Sequence, residues 1–300
     1  MARAHRPGSA PQAFGNRGVS GAGDSAGVVA IALALGASLA WGLSDFVAGI
    51  KSRELAVVWV LLVSQSTGLA LVTIAALIAG EPFPSTHAIL WATGAGIAEL
   101  VGFAAFYRAL AIGSMAIVSP ISATAAVVPL FVGMVDGQVP TAVQALGMVL
   151  ALGGAALASS EAGRGTAHGV GLALVAAFAF GLFFVGMDVS ADGGALWAVT
   201  FTRAAPVALL VGIVIGLRLP RIRRRAVAPL AGIGALDIGA NVMFATALTV
   251  GMAGLVSVLG SLYPLATVIL ARAVLRENVS THQRTGVAAA IAGIALVSLA

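Results

Sequence analysis

Two acidic side chains, Glu99 and Asp237, lie deep inside apolar stretches of this 300-residue chain. An ionisable group within a membrane-spanning helix costs roughly 2.5–3.5 kcal/mol on insertion scales, so each is a candidate for function. Two carboxyls at matching depths of related halves could meet across a central cavity and there bind and release protons. Asn241 follows Asp237 by four residues, on the same helix face, and would set an amide beside that carboxylate. Arg203 is also too deep in its stretch to snorkel comfortably. It could ion-pair with Asp237 or hold a substrate carboxylate in bidentate fashion. The competing reading for all three charges is an ion pair that only fixes packing.

A second group sits in WGLSDF, where Trp41 and Asp45 are four apart on one face. Asp45 could line the same cavity or neutralise Lys51 near the membrane surface. Tyr263 places a phenol next to Pro264, and Pro120 and Pro129 interrupt an earlier apolar stretch. Proline removes a backbone hydrogen bond, so these three positions are expected hinges. Arg108, near the end of its stretch, is expected to snorkel. No HExxH or GxSxG pattern is present, nor a P-loop, and the histidines sit in the tail or in connections. Neither an enzyme nor a metal site is expected, and no cofactor.

These residues need a scaffold, and composition dictates its class. Apolar residues make up 60% of the chain and charged residues 9%, too few charges to cover a water-facing surface. Ten apolar segments follow a polar, glycine-rich tail (1–27). They run near 28–50, 56–79, 88–111, 114–135, 141–159, 169–190, 195–217, 228–250, 254–275 and 280–300. Stretches this long in lipid must be helical, because each has to satisfy its own backbone groups. With no cysteine there is no disulfide or thiolate chemistry. The net charge of +5 resides in short basic connections of the kind that meet lipid headgroups, so nucleic acid is not an expected partner.

The chain also repeats itself. FYRALAIGSMAIVS (106–119) aligns with FATALTVGMAGLVS (244–257), AWGL (40–43) with AFGL (179–182), and Gln144 and Gly147 with Gln283 and Gly286. Glu99 and Asp237 are equivalent in this register. Five spans per half is an odd number, so the second half must enter the membrane inverted. The expected fold is an all-α integral membrane protein of ten transmembrane helices, arranged as two inverted five-helix repeats. Inverted repeats with a site at their interface recur in secondary transporters. The small-residue sets Gly147, Ala151, Gly154 and Gly286, Ala290, Gly293 suit a close contact between the halves.

Lys and Arg set the expected orientation. The tail carries Arg3, Arg6 and Arg17, whereas the opposite side carries eleven basic residues, including the cluster Arg218, Arg221, Arg223, Arg224 and Arg225. That asymmetry puts both termini outside and the cluster in the cytoplasm.

The second half, from FATALTVGMAGLVS through Pro264, Glu277, Gln283 and Gly286, resembles an EamA domain of the drug/metabolite transporter superfamily. Two EamA-like halves, 28–160 and 169–300, cover everything but the tail. The first half departs from the pattern with Gln138 in place of Glu, Ala125 in place of Pro, and Gln65 where the second half has Arg203. The resemblance implies transport of a metabolite, often export, by exchange with protons or another solute. With acids and an arginine in one cavity, the expected substrate is small, polar and amino-acid-like. The alternatives are a passive channel or uniporter, and less so an enzyme acting on lipid. A fused pair of halves needs no dimer, although it does not forbid one.

Overall fold

The computed structural model describes residues 23–128, 131–132, 141–159, 164–190, 195–250, 259–260, 262–276 and 280–299. Pro129, Gln138, Glu277 and the tail through residue 22 lie outside them. All the regular structure in the described residues is helical. The first half supplies α1 (Gly23–Glu54), α2 (Val57–Ala79), α3 (Thr86–Ile112), α4 (Met115–Ser122) and α5 (Ala142–Ser159). The second supplies α6 (Arg164–Ser190), α7 (Ala195–Gly216), α8 (Arg224–Val250), α9 (Tyr263–Leu275) and α10 (Thr281–Leu299). Six of these, α1–α3 and α6–α8, are long and apolar enough to cross a membrane. The described apolar lengths of α4, α5, α9 and α10 are shorter.

Several helices outrun their apolar stretches. α1 begins at Gly23 and runs to Glu54, α6 begins at Arg164 and α8 at Arg224. Hydropathy marks the part of a helix suited to hydrocarbon, whereas backbone hydrogen bonding continues into polar residues. The expected continuous span 114–135 is broken instead. α4 contains Pro120 and gives way after Ser122 to a 3₁₀ turn, Ala123–Ala126. There Thr124 Oγ1 donates a hydrogen bond to the Ile121 carbonyl at 2.7 Å. The span expected over 254–275 is likewise not one helix, since α9 starts only at Tyr263 with Pro264 in its first turn. A proline there displaces no intrahelical donor, so Pro264 opens a helix rather than kinking one.

The outside of the bundle is greasy and its inside is small. Ile78, Leu77, Leu90, Val149, Ile215 and Phe178 are among many large apolar side chains left exposed, whereas many of the buried side chains are alanine. That is the inverse of a water-soluble protein. Lipid offers no hydrophobic drive between helices, so small residues gain stability by letting backbones approach.

Exchanging the two halves maps the largest contacts between them onto one another. α5 packs on α10 and α2 on α7, each with its own repeat mate. The α3–α6 contact has α8–α1 as its counterpart, α3–α7 has α8–α2, and α4–α6 has α9–α1. The glycines show the same exchange at atomic scale. Gly96 lies against the Thr202 backbone and Gly234 against that of Ser64. Gly154 meets Ala290 and Gly286, while Gly293 meets Ala151 and Gly147. The two small-residue sets therefore do form one contact, between α5 and α10.

The ends of the bundle are tied by side chains. Glu81 Oε2 accepts from the Leu196 amide at the start of α7, and Trp197 Nε1 donates to the Glu81 carbonyl, both at 3.1 Å. At the other end Trp59 Nε1 donates to the Pro220 carbonyl at 3.1 Å. Gln144 belongs to a cap, since its Oε1 accepts from the Thr141 amide while Thr141 Oγ1 accepts from the Gln144 amide. Ser280 and Gln283 repeat that spacing at the start of α10.

Candidate functional site

A cavity of about 410 Å³ opens between the halves, within the usual range for small-molecule sites. Trp41, Asp45, Glu99, Arg203, Asp237, Asn241 and Tyr263 all line it. The breaks after α4 and before α9 reach it as well, through Ala123, Ala125 and Gly260.

Arg203, on α7, organises the charged end. Its Nη1 meets Glu99 Oε1 at 2.7 Å and Gln65 Oε1 at 2.9 Å, and its Nη2 meets Asp237 Oδ2 at 2.9 Å. Glu99 (α3) and Gln65 (α2) come from the first half, whereas Asp237 (α8) shares the second half with Arg203. Gln65 and Arg203 are repeat mates, as are Glu99 and Asp237. The cluster therefore lies where the two halves meet, and one cation serves two carboxylates that the repeat made equivalent. Each departure from symmetry has a local effect: were position 65 also arginine, two guanidiniums would face each other there. Gln65 instead accepts a hydrogen bond, and the sequence pointed to it only as a mismatch between the halves.

The cluster is not fully satisfied. Among the described residues, Glu99 Oε2 and Arg203 Nε are buried without a hydrogen-bond partner. Burying a carboxylate oxygen or a guanidinium N–H without a partner is costly, so both are places where a water, a proton or a ligand atom can act. Asn241 faces the cavity, but its Nδ2 bonds back to the Asp237 carbonyl at 2.8 Å. One N–H of that amide and its oxygen are left for a solute.

Of the two places expected for Asp45, the structure puts it at the cavity. Lys51 pairs with Glu54 at 2.7 Å. The Asp45 carboxyl, 8% exposed, borders the cavity and accepts no hydrogen bond from the described residues. Around it stand aromatic rings, with Trp41 5.4 Å from Phe244 and 6.3 Å from Tyr263 between centroids. The other wall is made by α3 and α6, where Phe180 packs 5.1 Å from Phe103 and 6.0 Å from Phe106. Phe183 and Phe184 extend it. Hydropathy had absorbed these phenylalanines into the spans, and only the three-dimensional pairing of α3 with α6 gathers them. Pro120 is buried within α4, and Arg108 is exposed and away from the cavity. Among the described residues no group of histidines and acids could hold a metal ion.

The family model described as the EamA-like transporter family matches residues 28–160 and again residues 167–299. The chain belongs to the EamA-like transporter family. Its two EamA repeats are the two halves seen in the packing, and the protein is a multi-pass membrane transporter. A solved crystal structure, titled only as that of a protein, matches with a TM-score of 0.59 at 18% identity. That likeness covers 91% of this chain and 97% of the other, and it extends the EamA arrangement as a fold. No curated protein matches the sequence.

Proposed function

We propose that the protein is a secondary carrier that moves a small polar metabolite across the cell membrane by alternating access, coupled to protons. Ten spans in two inverted halves would rock about the pseudo-twofold axis, with 28–160 and 169–300 as the moving units and the tail outside them. The observation that carries this reading is Arg203, which joins Glu99 and Gln65 of one half to Asp237 of the other where the halves meet. A proton on Asp237 would cancel the charge that holds Arg203 Nη2, leaving the links to the first half intact. Moving that proton to Glu99 would reverse the balance. Substrate arriving at Asp45, Trp41 and Tyr263 would occupy the same cavity and compete for the same charge. Pro120, Pro129 and Pro264 are the proposed hinges, and outward movement of solute the proposed direction.

The amino-acid-like solute needs one revision. It required Arg203 to hold the solute's carboxylate, whereas Arg203 already holds two protein carboxylates. A solute with a protonated nitrogen suits the cavity better.

Asp237→Asn tests the coupling. The amide can still accept from Arg203 but carries no titrating proton. In liposomes with a pH-sensitive dye inside, solute-driven proton movement should be lost, because the titrating group is gone. Unchanged proton movement in this variant would sink the coupling role. Counterflow with preloaded solute should accelerate uptake, which a passive channel cannot do.

The orientation can be read from single cysteines, because the chain has none of its own. A membrane-impermeant maleimide on intact cells should label Ser20→Cys in the tail. Pro220→Cys should react only after the cells are opened. The reverse pattern overturns the outside placement of the termini.

A further inference from the structure

We propose that the transported solute is an amphipathic amine. Its protonated nitrogen would lie between Asp45 and the rings of Trp41 and Tyr263, and its apolar body against the phenylalanine wall of α3 and α6. This rests on the carrier reading for the word transported, but the binding claim stands on the cavity alone.

Charge is the first argument. Three carboxylates and one guanidinium line the cavity, and the guanidinium is engaged by two of the three. With every acid ionised, the lining carries two negative charges in excess. An anionic solute would add to that excess and would find no unengaged cation among the described lining residues. Among the described residues Asp45 is the acid without a partner, more than nine-tenths buried and open to the cavity.

Aromatic geometry is the second argument. Trp41 is one helical turn before Asp45, and both Phe244 and Tyr263 pack within 6.3 Å of the Trp41 ring. Ring faces attract a cation within about 6 Å of their centroids, most strongly when it is desolvated. An acid flanked by rings therefore favours an ammonium over a small hydrated ion, whose water shell the rings cannot replace.

Asymmetry between the walls is the third. Asp45 and Asn241 stand on α1 and α8, and their repeat mates are Phe184 and Phe103, which stand on α6 and α3. Exchanging the halves therefore converts the polar wall into the apolar one. Phe103, Phe106, Phe180, Phe183 and Phe184 offer no hydrogen-bonding atom, so the part of a solute lying there must be apolar.

The test uses four matched probes on the full chain purified in detergent, with binding read by calorimetry. 2-Phenylethylamine has both the ring and the amine. Ethylamine lacks the ring, 3-phenylpropionate replaces the amine with a carboxylate, and L-phenylalanine adds a carboxylate to the amine. 2-Phenylethylamine is expected to bind at least about tenfold more tightly than the other three, roughly 1.4 kcal/mol. Asp45→Asn and Trp41→Leu should each weaken it by a similar factor, and Asp45→Asn should do so without lowering the melting temperature of the unliganded protein. Equal or tighter binding of L-phenylalanine or 3-phenylpropionate, or no binding of 2-phenylethylamine, overturns the proposal without needing any variant to fold. Full affinity in Asp45→Asn also overturns it. Binding without movement in liposomes would count against the carrier reading and leave the amine site standing.

Discussion

Exchanging Arg203 for glutamine is expected to destabilise the protein by about 3–5 kcal/mol and to abolish solute movement. Arg203 is 3% exposed and its partner Glu99 is 4% exposed, so the change strands a carboxylate where water cannot replace the lost cation. Asp237 is more open, its side chain 21% exposed, and would lose less. The cost therefore comes chiefly from Glu99, and this gives a second expectation. Arg203→Gln combined with Glu99→Gln should recover much of the lost melting temperature, because the stranded charge is gone. It should recover no transport, because the link between the halves is gone too. Melting in detergent and uptake into liposomes, run on both variants, separate the two roles. If the double variant melts as low as the single one, the loss is one of packing around Arg203 rather than of charge.

Much of this was legible in the sequence because the repeat is arithmetic. Glu99 and Asp237 stood out as charges in apolar runs, and the common register made them mates before any contact was known. The register could not say that one arginine would bind both acids, nor that Gln65 would be its third partner. Glutamine in a span carries no charge to flag it, and its role depends on a neighbour on α7. The break after Ser122 was hidden for a similar reason. Ala123–Ala126 is as apolar as a continuous helix, and hydropathy does not distinguish 3₁₀ from α geometry.

The aromatic wall is the clearest case of what linear pattern omits. Phe103, Phe106, Phe180, Phe183 and Phe184 read as ordinary span residues, since phenylalanine in lipid and phenylalanine in a cavity have the same hydropathy. Which of these they meet is decided by the rotation of α3 against α6. Gly102 helps set that rotation, because a Cβ there would collide with the Phe180 ring. Asp45 was ambiguous in sequence for a different reason. It could reach either the cavity or Lys51, and only the folded cavity, with Lys51 paired to Glu54, decides between them.

The α5–α10 contact yields the other large effect. A Cβ at Gly154 would run into the backbone nitrogen of Ala290 and the carbonyl of Gly286, and one at Gly293 into Ala151 and Gly147. Backbone cannot rotate aside as a side chain can, so the two helices would have to separate. Gly154→Val and Gly293→Val should each destabilise the protein by about 1–3 kcal/mol or more, as overpacking does. Because the halves exchange, the two losses should be similar in size. Once one valine has forced the helices apart, the second meets less resistance, so the double variant should lose clearly less than the sum. Gly153, next to Gly154 on the same helix, has open space where its Cβ would be. Gly153→Ala should therefore be neutral or raise the melting temperature, through the lower helix propensity of glycine, by up to about 1 kcal/mol. Equal losses at 153 and 154 would mean that α5 responds to any added bulk. Strict additivity of 154 and 293 would mean that they report on separate contacts, and the single glycine-lined seam inferred from the repeat would be wrong.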